Sequence, residues 1–360
     1  MMSFAWRLSL MVGFLSLSQE ILWVRLVSFD YGGMPYAFSL VLTCYLFGIA
    51  IGANIGKYFC RKAIDLYMVA AVTLLLAGIT DILTPILAPK ILGRSFSTFL
   101  LTALAITMTA GIKSVLFPIA HHLGSSQQGP NVGRSVSKIY FGNIIGSTLG
   151  PIVTGFFLLN QFTVEQCFDI VGTVTLALSI LSAAYCSSKQ KLVTIITAVL
   201  IVLWILKPWD SPNAIHSLAN HGDEKTHPVL EIIQNKQSII HTIKNSETGD
   251  VVFGMNEYDG RINTSMAINS NMLERAYVLA AVHPKPSRIL VIGMSAGAWT
   301  RVFQGFPGVE HIDLVEINPG YLQLVSKHPE VAPVLSDPRI HIHIDDGRRW
   351  LRRHPNEKYD

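Results

Sequence analysis

The sequence predicts an α-helical transmembrane bundle of about seven helices, followed by a small β-hairpin domain and an α/β domain with a parallel sheet. Half of the 360 residues are hydrophobic and only 14% are charged, with a mean hydropathy of +0.40, which is typical of a membrane protein. The long apolar segments all precede residue 208. After it, short β-rich runs give way to strands that alternate with helices.

The charge divides at the same point. Up to Lys207 there are 13 Lys and Arg against 6 Asp and Glu, a net charge of +7; from Pro208 there are 15 against 18, a net charge of −3. The basic residues of the first part lie in loops between apolar segments, where they act as topology signals. We therefore expect a lipid bilayer as partner and no nucleic acid. The four cysteines show no zinc or disulfide spacing, and we expect no metal site.

Seven segments reach or approach the roughly 20 apolar residues that a spanning helix needs. They are residues 4–27, 36–56, 64–87, 96–119, 139–162, 167–186 and 192–206, the last short enough to be interfacial. The second and fifth segments carry glycines at four-residue spacing, which predicts close helix packing. Each stripe falls in the middle of a three-helix group, and this arrangement hints at an internal duplication.

Four charged residues sit where a bilayer penalises them: Glu20, Arg25, Asp81 and Lys113. One interpretation is a path for a substrate or an ion, because charge within a bilayer is costly and usually functional. The other is a single buried ion pair, with the remaining side chains extending to the interface. We favour the ion pair, because four charges are a sparse set for a transporter.

We divide the chain into a membrane domain (1–207), a linker (208–228), a small β-domain (229–270) and a nucleotide-binding α/β domain (271–360). In the last domain, "RILVIG", "HIDLVEI" and "RIHIHIDDG" are predicted strands separated by helices. Such an alternation predicts a parallel sheet that binds its ligand at the carboxyl ends of the strands.

The loop after the first of these strands, "GMSAGA", fits two motifs. Gly293, Ser295 and Gly297 spell the G-x-S-x-G of a serine hydrolase, which needs an acid and a histidine late in the sheet. The next strand instead ends in Glu316, about 20 residues on, where an acid accepts hydrogen bonds from ribose hydroxyls. We therefore interpret the loop as a nucleotide site with Ser295 as a small residue. The predicted binding residues are Gly293, Ser295, Gly297, Glu316, Asp345, Asp346 and Gly347.

These segments resemble the spermidine synthases, the polyamine aminopropyltransferases. The resemblance rests on "ILVIGMSAGA", "LVEIN" and "DDG", and the helices resemble those of membrane-fused bacterial members. It implies a class I methyltransferase-like fold that takes S-adenosylmethionine or its decarboxylated form as substrate. Gly293, Ser295 and Gly297 would then wrap the amino-acid end, Glu316 would hold the ribose and Asp346 the adenine amino group. A small-molecule amine would be the acceptor.

The sequence departs from the family pattern at three places. The acid of the family's loop is Ala296 here, and the acidic run for the acceptor is reduced to Glu274 with Tyr277 nearby. The family's catalytic acids are expected beyond Asp360, so the α/β domain is expected to be incomplete and the catalytic residues stay unknown. With the loop acid lost, we expect only weak discrimination between the two donor forms.

The function predicted from these features is membrane-bound aminopropyl transfer to a polyamine. A methyltransferase that uses S-adenosylmethionine, and a transporter or sensor whose domain binds a nucleotide without turnover, stay open. The oligomeric state also stays open, and a homo-oligomer is one of the alternatives.

We expect a multi-pass protein of the bacterial inner membrane with a cytosolic C-terminal domain, because the nucleotide is cytosolic. The basic loops follow the second, fourth and sixth helices and are expected in the cytoplasm. Seven crossings would then place the C-terminal domain outside, so the two arguments agree only if the seventh segment does not cross.

Overall fold

The computed structural model describes residues 2–125, 132–186, 188–206, 213–220 and 228–360. The chain divides into two compact units, Met1–Leu218 and Ala219–Asp360. The first unit is entirely helical in its described residues, and the second contains two sheets.

Seven helical stretches of the described chain are long and apolar enough to cross a membrane, judged by length and composition. The helices of this unit are α1 (Met2–Asp30), α2 (Pro35–Cys60), α3 (Leu66–Ile91), α4 (Phe96–Ser114), α5 (Leu116–Ser125), α6 (Val132–Ile152), α7 (Leu159–Gln161), α8 (Val164–Ala183), α9 (Lys189–Leu206) and α10 (Ala214–Ala219). A π-helical turn, Val153–Leu158, joins α6 to α7. Side-chain caps at Asp65, Ser95 and Thr163 fix the starts of α3, α4 and α8.

The fourth predicted segment is interrupted. Its two helices, α4 and α5, meet at Val115, which lies three residues before Pro118. A proline has no N–H to donate, and its ring crowds the carbonyl four residues back, here that of Ser114. The break therefore has a local cause in the sequence.

The two predicted glycine stripes lie at helix contacts. Gly48, Gly52 and Gly56 of α2 face the backbone of α4 and its junction with α5, while Gly146 and Gly150 of α6 face the backbone of α1. A Cβ atom at any of these positions would overlap a backbone oxygen of the facing helix. Only glycine permits these approaches, as expected for small residues at helix interfaces.

The helix pairs are arranged as a duplication predicts. The most extensive contacts join α1 to α6, α2 to α4 and α3 to α8. If α1, α2 and α3 are exchanged with α4, α6 and α8 in that order, the three pairs map onto one another. The two glycine stripes exchange as well. The contact pattern of the fold thus has the symmetry that the stripes suggested in the sequence.

A buried polar network links five helices of this unit. The Asp81 carboxylate accepts hydrogen bonds from Lys113 Nζ at 2.9 Å, Gln19 Nε2 at 2.6 Å and Thr175 Oγ1 at 3.4 Å. Tyr45 OH donates to Gln19 Oε1 at 3.1 Å. Asp81 is fully buried and Lys113 is 2% exposed. Two of the four predicted intramembrane charges thus form one buried ion pair.

The predicted linker, residues 208–228, contains structure. Residues 208–212 and 221–227 lie outside the described residues, but 214–219 form the short helix α10. Ala214 and Ile215 are buried, and the Ile215 N–H donates to Glu165 Oε1 at 3.0 Å. The polar composition of the segment concealed the helical spacing of its few apolar residues.

The C-terminal unit begins with an antiparallel sheet of four strands in chain order: β1 (Val229–Gln234), β2 (Ile239–Ile243), β3 (Val251–Gly254) and β4 (Glu257–Arg261). Ile240 and Val252 of this sheet pack in one hydrophobic core with Ile289 and Leu314 of the second sheet. The predicted β-domain and α/β domain therefore share a core.

The second sheet is parallel, with strand order β5 (Arg288–Ile292), β6 (His311–Glu316) and β7 (Ile340–Ile344). The helices around it are α11 (Leu273–Val282), α12 (Ala298–Gln304), α13 (Gly320–Ser326) and α14 (Gly347–Arg353), with a 3₁₀ turn at Ala332–Leu335. The strand-helix alternation was predicted correctly, and the carboxyl ends of the three strands lie side by side at one edge.

Candidate functional site

The loop between β5 and α12 turns sharply on three residues with positive φ. These are Gly293 (+92°), Ser295 (+47°) and Gly297 (+74°). A Cβ at Gly293 would meet no atom within 4 Å, so glycine is needed there for its backbone conformation. The Gly293 N–H donates to the Val315 carbonyl at 2.9 Å, which fixes the start of the loop against β6.

The Ser295 side chain has a definite partner. Its hydroxyl donates to the backbone carbonyl of Asp259 at 2.7 Å, which ties the loop to β4. The sequence argument treated Ser295 only as a small residue and did not predict this hydrogen bond. The contact spans 36 positions of the chain and left no local sequence signal.

Glu316 ends β6 directly beside the loop. Its Oε2 accepts the Met294 N–H and its Oε1 accepts the Asn318 N–H, each at 2.7 Å. The residue is only 4% exposed, and burial raises the pKa of its carboxyl, although the two backbone hydrogen bonds oppose this. A carboxylate has about four acceptor positions, so two stay open to a ligand's hydroxyl groups.

The two acids after β7 have different surroundings. Asp345 forms ion pairs with Arg349 and Arg353, and the hydrogen bond from Arg349 lowers the pKa of its carboxyl. Asp346 caps α14 by accepting the Arg349 N–H at 2.9 Å. Gly347 allows α14 to approach β5, since a Cβ there would lie 2.6 Å from Ile292 Cγ2. Asp346 is therefore freer than Asp345 to bind a ligand.

Two cavities meet at the loop. The acid cavity, about 310 Å³, is lined by Gly293, Glu316, Asp345, Asp346 and Gly347, together with Arg348 and four apolar residues. The loop cavity, about 330 Å³, is lined by residues 291–300 and by a second set of side chains. That second set comprises Tyr258, Asp259, Asn271, Met272, Arg275 and Phe303. Five of the seven predicted residues thus surround the acid cavity, while Ser295 and Gly297 line the loop cavity with Gly293; their binding roles stay predictions.

A third cavity lies beside the loop cavity and shares Tyr258 and Asp259 with it. This side cavity, about 460 Å³, also contains Glu257 and Tyr321 in its wall. Burial and the negative charge of the nearby Asp259 carboxylate raise the pKa of the Tyr321 hydroxyl. The wall of this cavity carries two carboxylates and no lysine or arginine among the residues that the structure describes.

Sequence reasoning missed Asp259, Arg275 and Tyr321, because each lies outside the glycine motif and reaches the cavities only through the tertiary fold. It placed weight on Glu274 and Tyr277 instead. Both are exposed on α11 and neither lines the three cavities, and Tyr277 packs against Phe306 at 5.9 Å between ring centroids. Helical phase explains the difference, since Arg275 follows Glu274 by 100°.

Two histidines, His341 and His343, alternate along β7, and the side chains of His343 and of His311 on β6 both reach Asp313. His343 Nε2 lies 2.8 Å from Asp313 Oδ1, and His311 Nε2 lies 2.8 Å from Asp313 Oδ2. Burial raises the pKa of the Asp313 carboxyl, but the hydrogen bonds from the two histidines and from Tyr359 outweigh it and hold this pKa below its usual range. His343 therefore belongs to a hydrogen-bonded cluster with Asp313 and His311 on the sheet.

Comparison with known proteins agrees with this geometry. Residues 269–360 match the family described as the spermine/spermidine synthase domain. The polyamine aminopropyltransferase of Agathobacter rectalis is 37% identical over 131 residues, which are 35% of this chain and 44% of that protein. The polyamine aminopropyltransferase of Mycobacterium tuberculosis is 24% identical over 331 residues, 89% of this chain and 62% of that protein. The chain spans less than two thirds of either relative.

Among solved structures, spermidine synthase from Thermotoga maritima is similar with a TM-score of 0.30 and 22% identity, over 35% of this chain and 42% of that one. The predicted resemblance to the spermidine synthases is confirmed by the family match and the curated relatives.

Proposed function

Because the chain is a spermidine synthase-like protein whose residues 269–360 match the spermine/spermidine synthase domain, we propose that its C-terminal unit is a transferase. The donor is an S-adenosylmethionine-type nucleotide, and an alkyl group passes from its sulfonium to an acceptor. The observation that carries this proposal is Glu316, a buried carboxylate at the tip of β6 that lines a cavity beneath the glycine loop.

The lining residues fit such a nucleotide part by part. The open acceptor positions of Glu316 suit the two ribose hydroxyls, and Asp346 suits the adenine amino group. The loop cavity lies on the other side of Gly293 and would take the amino-acid end. The nucleotide would thus extend across the loop, in the crevice at the carboxyl ends of the strands.

Aminopropyl transfer to a polyamine is the first candidate reaction. The relatives named above are polyamine aminopropyltransferases, which supports it. The side cavity supports it as well, because Glu257 and Asp259 would attract a cationic amine. A neutral amine must attack, so a carboxylate in reach would have to accept its proton.

Methyl transfer from S-adenosylmethionine is the second candidate. It is favoured by one observation, the presence of buried Ala296 in the loop where the resembling family has an acid. The products separate the candidates. Aminopropyl transfer breaks the bond from sulfur to the propyl chain and leaves methylthioadenosine, whereas methyl transfer leaves S-adenosylhomocysteine.

The experiment incubates the full chain in detergent with each donor and a polyamine, and identifies the nucleoside product by mass spectrometry. Methylthioadenosine that appears together with an extended polyamine supports the first candidate. S-adenosylhomocysteine supports the second. Neither product, in the presence of measurable donor binding, would contradict turnover and favour a binding domain.

We also propose that the helical unit lies in a membrane, the bacterial inner membrane, with the C-terminal unit in the cytosol. The seven long apolar helices support it. The seventh, α9, buries only Ile195 and Val199, so most of its surface suits lipid. It is also the shortest of the seven, at 18 residues, and we propose that it lies at the membrane interface without crossing, so that the basic loops and the C-terminal unit share the cytosolic side.

The topology can be tested with single cysteines in a background without the four native ones. An impermeant thiol reagent added to intact cells should label Met34→Cys, in the turn after α1, and spare Asn356→Cys, which is exposed in the C-terminal unit. Permeabilised cells should show labelling of both. Labelling of Asn356→Cys in intact cells would contradict a cytosolic nucleotide site.

A further inference from the structure

We propose that Arg275 makes the loop cavity selective for a donor that keeps its α-carboxylate, so that S-adenosylmethionine binds more tightly than its decarboxylated form. The inference rests on the proposed donor site, concerns which donor occupies it, and favours the second candidate reaction, methyl transfer, over the first. It revises the sequence-based expectation of weak discrimination, because the sequence did not indicate that Arg275 faces this cavity.

The charges in the wall of the loop cavity carry the argument. Of the residues that line it, only Arg275 and Asp259 are charged. Asp259 lines both this cavity and the neighbouring side cavity, which it shares with Tyr321. Arg275 is exposed on the first turn of α11, and in the described part of the chain no carboxylate forms an ion pair with it. Its guanidinium is therefore available to a ligand.

The loop itself offers no counter-charge to a cation. Ala296 is 2% exposed and the loop residues 293–298 contain no carboxylate. The main-chain N–H groups of Met294 and Gly297 already donate to Glu316 and to the Met294 carbonyl. The charged side chains that a donor end in this cavity would meet are those of Arg275 and Asp259.

The two donors differ in this part of the molecule. S-adenosylmethionine ends in an ammonium and a carboxylate, and carries a net charge of one; the decarboxylated form has only the ammonium, and a net charge of two. An arginine binds a carboxylate through two parallel hydrogen bonds and repels an added cation. One cation and one anion in the cavity wall match a zwitterion better than a lone ammonium.

The test is calorimetric titration of the full chain in detergent with both donors. In the wild type, S-adenosylmethionine should bind more tightly. Arg275→Gln should weaken its binding by about tenfold or more and leave the decarboxylated form within about twofold, because one charge-assisted contact is lost for one donor alone. Arg275→Glu should reverse the preference. Arg352→Gln removes the same charge from an exposed position on α14 outside the three cavities and should change neither affinity.

Each other outcome is decisive. If the wild type prefers the decarboxylated donor, or if Arg275→Gln weakens both donors equally or neither, the role of Arg275 is contradicted while the donor site stands. If the wild type binds neither donor, the proposed function fails and this inference fails with it. Thermal melts of each variant separate lost contacts from lost folding.

Discussion

The two units each contain one conspicuous buried carboxylate, and the two are held in opposite ways. Asp81 in the helical unit contacts a cation, an amide and a hydroxyl, all from other helices. Glu316 in the C-terminal unit accepts two backbone N–H groups, from the loop beside its own strand and from the residue two positions on. Both are nearly inaccessible to solvent, at 0% and 4% exposure.

The difference separates a carboxylate that stabilises a fold from one that is suited to a ligand. Asp81 and Lys113 neutralise each other, and their neighbours satisfy the remaining polar atoms. Among the residues that the structure describes, no cation forms an ion pair with Glu316, which lines a cavity with Arg348 in its wall and keeps open acceptor positions. Burial alone therefore does not distinguish a functional acid from a structural one. The groups that contact the carboxylate make the distinction.

The largest effect is expected from Lys113→Met, which leaves Asp81 as an unpaired buried charge. Breaking a buried pair in this way typically costs about 3–5 kcal/mol, so the helical unit should melt at a much lower temperature in detergent. The double variant Asp81→Asn/Lys113→Met should recover much of the loss, because no lone charge remains. Equal melting of the single variant and the wild type would show that the pair is unimportant for stability.

Glu316→Gln should weaken donor binding at least tenfold. A charge-assisted hydrogen bond contributes about 1.5–3 kcal/mol, and the glutamine amide would also direct its N–H groups at one of the two backbone donors. Calorimetry of both donors measures the effect. Glu310→Gln, an exposed acid just before β6, is the matched control and should bind normally. Wild-type affinity in Glu316→Gln would contradict the ribose role.

Donor binding should also depend on pH through Glu316. Because burial raises the pKa of this carboxyl, it begins to gain a proton at a higher pH than an ordinary glutamate as the solution is acidified. As the pH is lowered, donor affinity should therefore begin to fall at a higher pH than an ordinary glutamate would cause, while Glu316→Gln should show a flat profile. Without donor the sign is opposite: a carboxyl with a raised pKa favours the folded unit at low pH, and this contribution is lost as the pH rises through the folded pKa.

The smallest effect is expected from Ser295→Ala. One neutral hydrogen bond to the Asp259 carbonyl is lost, which costs about 0.5–1.5 kcal/mol and loosens the loop. Donor affinity should fall by no more than about tenfold. If any esterase activity of the wild type disappeared completely in this variant while donor binding stayed normal, the hydrolase interpretation of the loop would have to be restored.

The sequence predicted the features that repeat along a helix or a strand. The apolar segments, the glycine spacing on α2 and α6, and the alternation around β5, β6 and β7 are local patterns, and the structure contains them. The acid tip at Glu316 was found because it follows the glycine loop at a typical distance. These signals need no knowledge of how distant segments meet.

The contacts that join distant segments could not be predicted. Ser295 meets Asp259 across the sheet boundary, Arg275 turns towards the loop from another helix, and the ion pairs of Asp345 depend on the direction of α14. The helix at 214–219 was hidden by polar neighbours. In each case the sequence shows the residue type, but the tertiary packing determines which residue it contacts.

The central claim is that Glu316 and the glycine loop hold a sulfonium nucleotide, and equilibrium titration of the full chain in detergent tests it most directly. We expect saturable binding of S-adenosylmethionine, its decarboxylated form or both, reduced at least tenfold in Glu316→Gln and retained in Asp81→Asn/Lys113→Met. The buried carboxylate of Asp81 would then contribute to stability and not to donor binding. Binding of neither donor, or equal binding by wild type and Glu316→Gln, would contradict the account.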